Sequence, residues 1–141
     1  MENNQITKLT ANIFKGLTRL RVINLIDNKI KSIHRDSLAG SKNLFIVILS
    51  NNKLVDLPNG LFNTQPVRQE KVHFFFRGNK IQEIRKNLLL GSSDKFIHLD
   101  FSSNQITRIE EGAFEVLQAL TGSIGIFICN NPIVENVLCH L

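Results

Sequence analysis

Short runs of alternating apolar and polar residues recur along this chain of 141 residues, and each run ends just before an asparagine. Three and five residues before successive asparagines lie Leu25 and Ile23, Leu49 and Val47, Phe76 and Phe74, Phe101 and Leu99, and Ile128 and Ile126. Alternation over so short a span predicts a strand with one buried face. The asparagines are Asn4, Asn28, Asn52, Asn79, Asn104 and Asn131, separated by subtraction by 24, 24, 27, 25 and 27 residues. In the first five copies an aliphatic residue follows two and five positions later: "NQITKL", "NKIKSI", "NKLVDL", "NKIQEI" and "NQITRI". The sixth, "NPIVEN", departs at its end. Ten residues after each of the first five asparagines come Phe14, Leu38, Phe62, Leu89 and Phe114, and Leu17, Leu20, Leu44, Leu117 and Leu120 complete the apolar frame.

A single copy cannot bury both its strand face and its return segment, so the copies must stack. The predicted architecture is a solenoid whose strands pair in parallel on one wall. The stretch "LSNNKLVDLPNGLF" then reads as one turn. Leu49 and Leu54 point inward, Asn52 bridges, Leu57 closes the bend, "PNG" begins the return, and Phe62 plugs the far side. A primary amide both donates and accepts, so each asparagine can serve backbone groups that a buried turn would leave unpaired. The six asparagines are expected to form a structural ladder, and the phenylalanine column to be core.

This frame resembles the leucine-rich repeat, LxxLxLxxNxLxxL with a variable second half, over residues 1 to about 133. The 24-residue spacing and the second-half phenylalanine resemble the typical repeat class carried by Toll-type receptors, chaoptin and Slit-like proteins. The resemblance implies a right-handed α/β-type horseshoe. It has a parallel sheet on its concave face and an irregular or helical-turn convex side. About six repeats would make up one domain over residues 1–141.

Two turns depart from the frame. After Phe62 comes "NTQPVRQEKV", where Gln65 and Arg68 replace expected leucines and three residues are extra. After Leu117 comes "QALTGSIG", again with three extra and Ser123 at a core-type position. Loops bulging from the convex side account for both; a binding loop or bend, or a decayed gene, are the alternatives. At the start, Met1 occupies the last inward strand position of its turn. At the finish, "NNPIVENVLCHL" resembles the entry to a cysteine-rich cap, with the first cap cysteine absent. The chain is therefore expected to be an internal or C-terminal piece of a longer ectodomain.

Composition adds little. Hydrophobic residues make up 43%, enough for a core, and ten phenylalanines stand beside no tryptophan or tyrosine. A formal net charge of +5 is scattered along the chain, and no run of lysine and arginine suggests a nucleic-acid or membrane patch. No apolar stretch approaches the ~20 residues of a membrane span, and "MENNQITK" has no hydrophobic signal core. As written, the sequence is expected neither to enter the secretory route nor to anchor in a bilayer, and it holds no glycosylation acceptor. Cys129 and Cys139 could close the last turn as a disulfide, or be two thiols; the spacing permits either. Phosphate-loop, zinc-protease, CxxC and nucleophile-elbow motifs do not occur. Neither an enzyme nor a cofactor is expected.

The residues that alternate with the buried ones line the concave wall. Six before each asparagine stand Val22, Ile46, His73, His98 and Gly125; four before, Asn24, Ile48, Phe75, Asp100 and Phe127; two before, Glu2, Ile26, Ser50, Arg77, Ser102 and Cys129. Val22, Ile26, Ile46, Ile48 and Phe75 form a near-contiguous apolar patch, the expected contact surface for a protein partner. Shielding by another part of a longer protein and a surface without function are the alternatives. His73, His98 and Asp100 have the chemistry of a zinc or pH-sensing site, but two solvated histidines beside an aspartate is the simpler reading.

The resemblance implies non-enzymatic protein recognition in a receptor or adhesion protein, extracellular or at the cell surface. An intracellular, cytoplasmic repeat scaffold and a non-functional gene fragment are the alternatives. No nucleic acid or membrane contact is expected, whereas self-association through open solenoid ends is.

Overall fold

The computed structural model describes residues 1–62, 72–89, 97–115 and 125–133, with only the backbone of Ile97. Gln65, Arg68, Leu117, Leu120, Ser123, Cys139 and His140 lie outside the described residues, as do most of the two irregular stretches. The chain winds as a solenoid of parallel strands. Five form the concave sheet: β2 (Val22–Asn24), β4 (Ile46–Ile48), β5 (Val72–Phe75), β7 (Ile97–Asp100) and β9 (Gly125–Phe127). They pair in the order β2-β4-β5-β7-β9, all parallel. Five strands in sequence order enclose four complete turns, with further residues of the repeat frame before and after. The register matches the frame: Val22 faces Ile46, Ile46 faces His73, His73 faces His98, and His98 faces Gly125.

Stacking is secured by the asparagines. Asn52 Oδ1 accepts from Ile30 N–H of the preceding turn at 2.9 Å, while its Nδ2 donates to Leu25 O of that turn and to Leu49 O of its own. Asn79, Asn104 and Asn131 repeat this arrangement. Asn28 does so with Ile6 N–H, Met1 O and Leu25 O. All five are buried. Asn4 is exposed, and among the described residues its side chain bonds only to Glu2 O within its own turn. The ladder thus has five buried rungs among the described residues, and Asn4 stands outside it, with no partners from an earlier turn among those residues.

The residue before each asparagine has a backbone property that the repeat spacing does not reveal. Asn3, Asp27, Asn51, Gly78, Ser103 and Asn130 all take positive φ, between 53° and 71°. This left-handed step turns the chain off the strand and lets the next amide point inward. Asn and Asp tolerate it and glycine is at ease in it. At Gly78 a Cβ would also collide with Asn51 Oδ1.

Inward side chains fill the turns. Leu25, Leu49, Phe76 and Phe101, three before their asparagines, are fully enclosed, as are Ile30, Leu54, Ile81 and Ile106, two after. Phe62 meets Phe74 edge-on at 4.6 Å, and Phe76 stacks on Phe101 at 5.4 Å, so rings dominate the middle of the core. Several framework positions are less buried than expected, and Ile6, Leu20 and Ile109 are half-buried. Leu17 is 51% exposed, with no turn packed above it among the described residues, and Phe114 is only half-buried. In the second turn the interior instead takes Ser37 and Ser41, whose hydroxyls make no hydrogen bond among the described residues. Such groups cost ~1–3 kcal/mol each.

The convex side consists of tight turns with bonds between residues three apart, such as Lys15 N–H to Asn12 O and Ser37 N–H to His34 O. Beyond the asparagine corner a second, flanking ladder begins. It comprises β1 (Lys8–Leu9) with β3 (Ser32–Ile33), and β6 (Glu83–Ile84) with β8 (Arg108–Ile109). The middle turn interrupts it. Six after their asparagines, His34 N–H donates to Leu9 O and Glu110 N–H to Ile84 O, both at 2.9 Å. Pro58 holds that position after Asn52 and has no N–H to give.

Replacing Asn52 with alanine orphans Ile30 N–H and removes the amide's bonds to three carbonyls, those of Leu25, Leu49 and Ser50. The expected loss is about 3 kcal/mol. Asn51→Ala should cost roughly 1 kcal/mol, the penalty of a Cβ in the left-handed region, and Asn51→Gly close to nothing. Urea denaturation of the three variants checks the order; equal stability of the two alanine variants would be incompatible with the ladder.

Candidate functional site: the concave sheet

Parallel pairing at about 4.8 Å per strand lines the outward side chains up in columns. The apolar patch is present. Ile26, Ile46, Ile48 and Phe75 are half-buried among their neighbours, and Val22, on the first strand, is 44% exposed. Asn24 is half-buried; its Oδ1 accepts from Ile26 N–H at 3.2 Å and its Nδ2 donates to Glu2 Oε1. Asp100 Oδ1 accepts likewise from Ser102 N–H at 2.9 Å. Both residues therefore brace the end of their own strand. Arg77 is exposed. Ser50 and Ser102, also on this wall, are buried instead, small enough to be covered by their neighbours.

A ring cluster that spacing alone did not indicate dominates the centre. His98 lies between Phe75 and Phe127, with centroids at 5.4 and 4.8 Å, and His73 is 5.4 Å from His98. His73 also stacks on Phe75 at 6.3 Å. Gly125 makes room for this: a Cβ there would sit 3.2 Å from the Phe127 ring and 3.5 Å from His98 Nδ1. The imidazoles thus belong to an aromatic platform. Among the described residues no three His, Cys, Asp or Glu side chains stand close enough to hold a metal ion. Cys129 ends the column begun by Glu2 and Ile26; Cys139, its suggested disulfide partner, lies outside the described residues. The concave face offers shape, apolar area and ring surface, with few ionic groups.

Charge gathers on the flank. Arg85 Nη2 pairs with Asp56 at 2.8 Å and its Nε with Glu83 Oε1 at 2.6 Å, while Arg108 approaches Glu83 at 3.8 Å and Glu110 at 3.6 Å. Asp56, Glu83, Arg85 and Arg108 border a cleft of about 330 Å³ with Val55, Gln82 and Thr107. The hydrogen bond from Arg85 holds the Glu83 carboxyl below the usual glutamate range, and Glu83 in turn raises Arg85. Three consecutive turns contribute, so the stripe ties them together on the side away from the sheet.

The comparisons with known proteins agree with this geometry. The profile described as leucine rich repeat matches residues 1–54. The chain is a leucine-rich repeat protein. It is 34% identical over 115 residues to decorin of Rattus norvegicus, covering 80% of this chain and 30% of that protein. It is 35% identical over 118 residues to biglycan of Sus scrofa, covering 83% and 41%. The chain thus spans well under half the length of these relatives. Among solved structures it resembles Toll in the Toll–Spatzle complex of Drosophila, with a TM-score of 0.67 and 20% identity over 90% of this chain and 19% of that one. That likeness concerns the solenoid fold.

Glu83 supplies a pH test of the flank stripe. Its carboxyl is more acidic in the folded chain than in the unfolded one. Its stabilisation is therefore complete above the unfolded value of about 4.3 and lost as pH falls through the lower folded value. Between neutral pH and about pH 3, Glu83→Gln should lose less stability than the parent chain. Parallel acid-denaturation curves would count against the pairing.

Proposed function

We propose that this solenoid binds a protein partner on its concave sheet and carries out no catalysis. The observation that supports the reading is the apolar and aromatic surface that spans the five strands of the concave sheet. It runs from Val22 and Ile46 through Ile48 and Phe75 to Phe127. Apolar and aromatic side chains packed at the centre of a face are where binding energy concentrates, and large exposed patches usually mark an interface. Toll, whose fold is similar, was solved in complex with Spatzle. The proposed contact residues are Val22, Asn24, Ile26, Ile46, Ile48, His73, Phe75, Arg77, His98, Asp100 and Phe127. The typical repeat class suggests an extracellular or cell-surface setting as part of a longer protein. A signal peptide or membrane anchor encoded upstream or downstream would separate this from a cytoplasmic scaffold.

Screening the chain against an array of purified receptor and matrix proteins tests the reading. Ile48→Glu and Phe75→Glu should each abolish the strongest signal while leaving the far-ultraviolet circular dichroism unchanged. Loss of that signal on convex substitutions such as Lys42→Glu, with the concave variants still binding, would move the interface elsewhere.

The first turn also exposes Met1, Ile13 and Leu17, and Ile133 is 38% exposed at the other end. Strand β2 leaves one edge without a neighbour in the sheet, an invitation to pairing with another chain. Self-association through these ends belongs to the same proposal. Light scattering of residues 1–141 should show oligomers that revert to monomers when capping repeats are fused to both ends. A monomer without added caps would count against it.

A further inference from the structure

The basic residues look scattered in the sequence, but the repeat folds some of them into line. The position immediately after each of the first five asparagines is held by Gln5, Lys29, Lys53, Lys80 and Gln105 in successive turns. Backbone bonds fix the register: Lys29 N–H donates to Ile6 O at 3.0 Å, Lys53 N–H to Ile30 O at 2.8 Å, and Lys80 N–H to Leu54 O at 2.8 Å. Three lysines on three consecutive turns therefore leave the same corner of the solenoid, between the concave wall and the flank. All three are exposed.

Among the described residues no carboxylate pairs with them. The ion pairs among the described residues involve His34, Arg35, Arg85 and Arg108. Asp27, on the adjacent outward position, accepts instead from Asn51 Nδ2 at 2.9 Å. Like charges directly opposite on neighbouring strands are destabilising, so the column works against the stack that holds it. An anion laid along it would relieve that repulsion.

We propose that the Lys29–Lys53–Lys80 column binds a sulfated polysaccharide. The column repeats once per turn, at about the 4.8 Å strand spacing, and suits a linear polymer with closely spaced charges. Lysine ammonium groups act as point charges and need no bidentate geometry. The residues just before the asparagines, which border the column, are Asn, Asp, Gly and Ser, and they offer no aromatic ring. Single-stranded nucleic acid binds by stacking on such rings. The corner position also holds no apolar anchor of the kind a protein interface concentrates its energy on. The site is separate from the concave face, so both can be occupied together.

The test is affinity for heparin, measured by calorimetry and by salt elution from immobilised heparin. The parent chain should be retained at physiological salt. The triple variant Lys29→Gln, Lys53→Gln, Lys80→Gln should bind ~10-fold more weakly, as expected for three exposed ion pairs. A control variant, Lys15→Gln, Lys42→Gln, Lys86→Gln, removes the same charge elsewhere and should bind like the parent, as should Phe75→Glu. Heparin stripped of its sulfates should bind weakly. The proposal is overturned by absence of retention or by an equal loss in the control, which would show a net-charge effect. Equal affinity for polyglutamate or duplex DNA would also overturn it, as would a column variant that keeps its circular dichroism and binds undiminished. Loss of heparin binding in Phe75→Glu alone would place the polymer on the concave wall instead.

Discussion

Everything in this molecule depends on one amide per turn. The solenoid's interior is apolar, yet each strand must turn inward and expose its backbone to that interior. An N–H two residues after each corner and a carbonyl three residues before it would be buried without partners. The asparagine side chain supplies the missing acceptor and both donors. Its reach across two turns makes the service mutual: the amide of Asn79 completes the turn of Asn52, and that of Asn104 completes the turn of Asn79. Stability is therefore a property of adjacent turns rather than of any single turn. The left-handed residue just before each amide is the second requirement, since it aims the side chain.

Once the corners are fixed, the rest of each turn is permissive, and the chain uses that freedom unevenly. The interior accepts leucine, isoleucine or phenylalanine at equivalent places, and even two serines whose hydroxyls gain nothing there. The flanking ladder can be broken at Pro58 without loss of the stack, because the asparagine corner and concave sheet run past it uninterrupted. The charged stripe through Asp56, Arg85, Glu83, Arg108 and Glu110 spans this side of the molecule just after the break. It joins the turn of Pro58 to the next two through side chains, alongside the backbone bonds from Lys80 N–H to Leu54 O and from Gln82 N–H to Val55 O.

The period of the asparagines was enough to read the parallel sheet, its register and the inward positions, because burial of one strand face imposes a spacing of two and stacking imposes a common frame. Other features left no regular trace. Asn, Asp, Gly and Ser share the left-handed corner, so its chemistry varies while its φ does not. The aromatic platform depends on Gly125, whose missing side chain lets Phe127 lean over the sheet toward His98. Alone, that glycine reads as a gap in the frame. Leu17 follows the core pattern and is nevertheless exposed, because pattern marks a residue's place in a turn and burial depends on the turn above it.

Stacking therefore converts offset from the asparagine into position on the surface. Residues two, four and six before it become the concave wall; the residue one after becomes the corner column; those four and six after become the flank. Charge that is diffuse along the chain separates under this rule. Lys29, Lys53 and Lys80 gather at the corner, Arg85 and Arg108 are neutralised on the flank, and the concave wall is left largely apolar. A substitution in this protein is best judged by its offset first and its residue type second. The same glutamate would join an ion-pair stripe at one offset, interrupt a cationic column at another, and place a charge in the apolar sheet at a third.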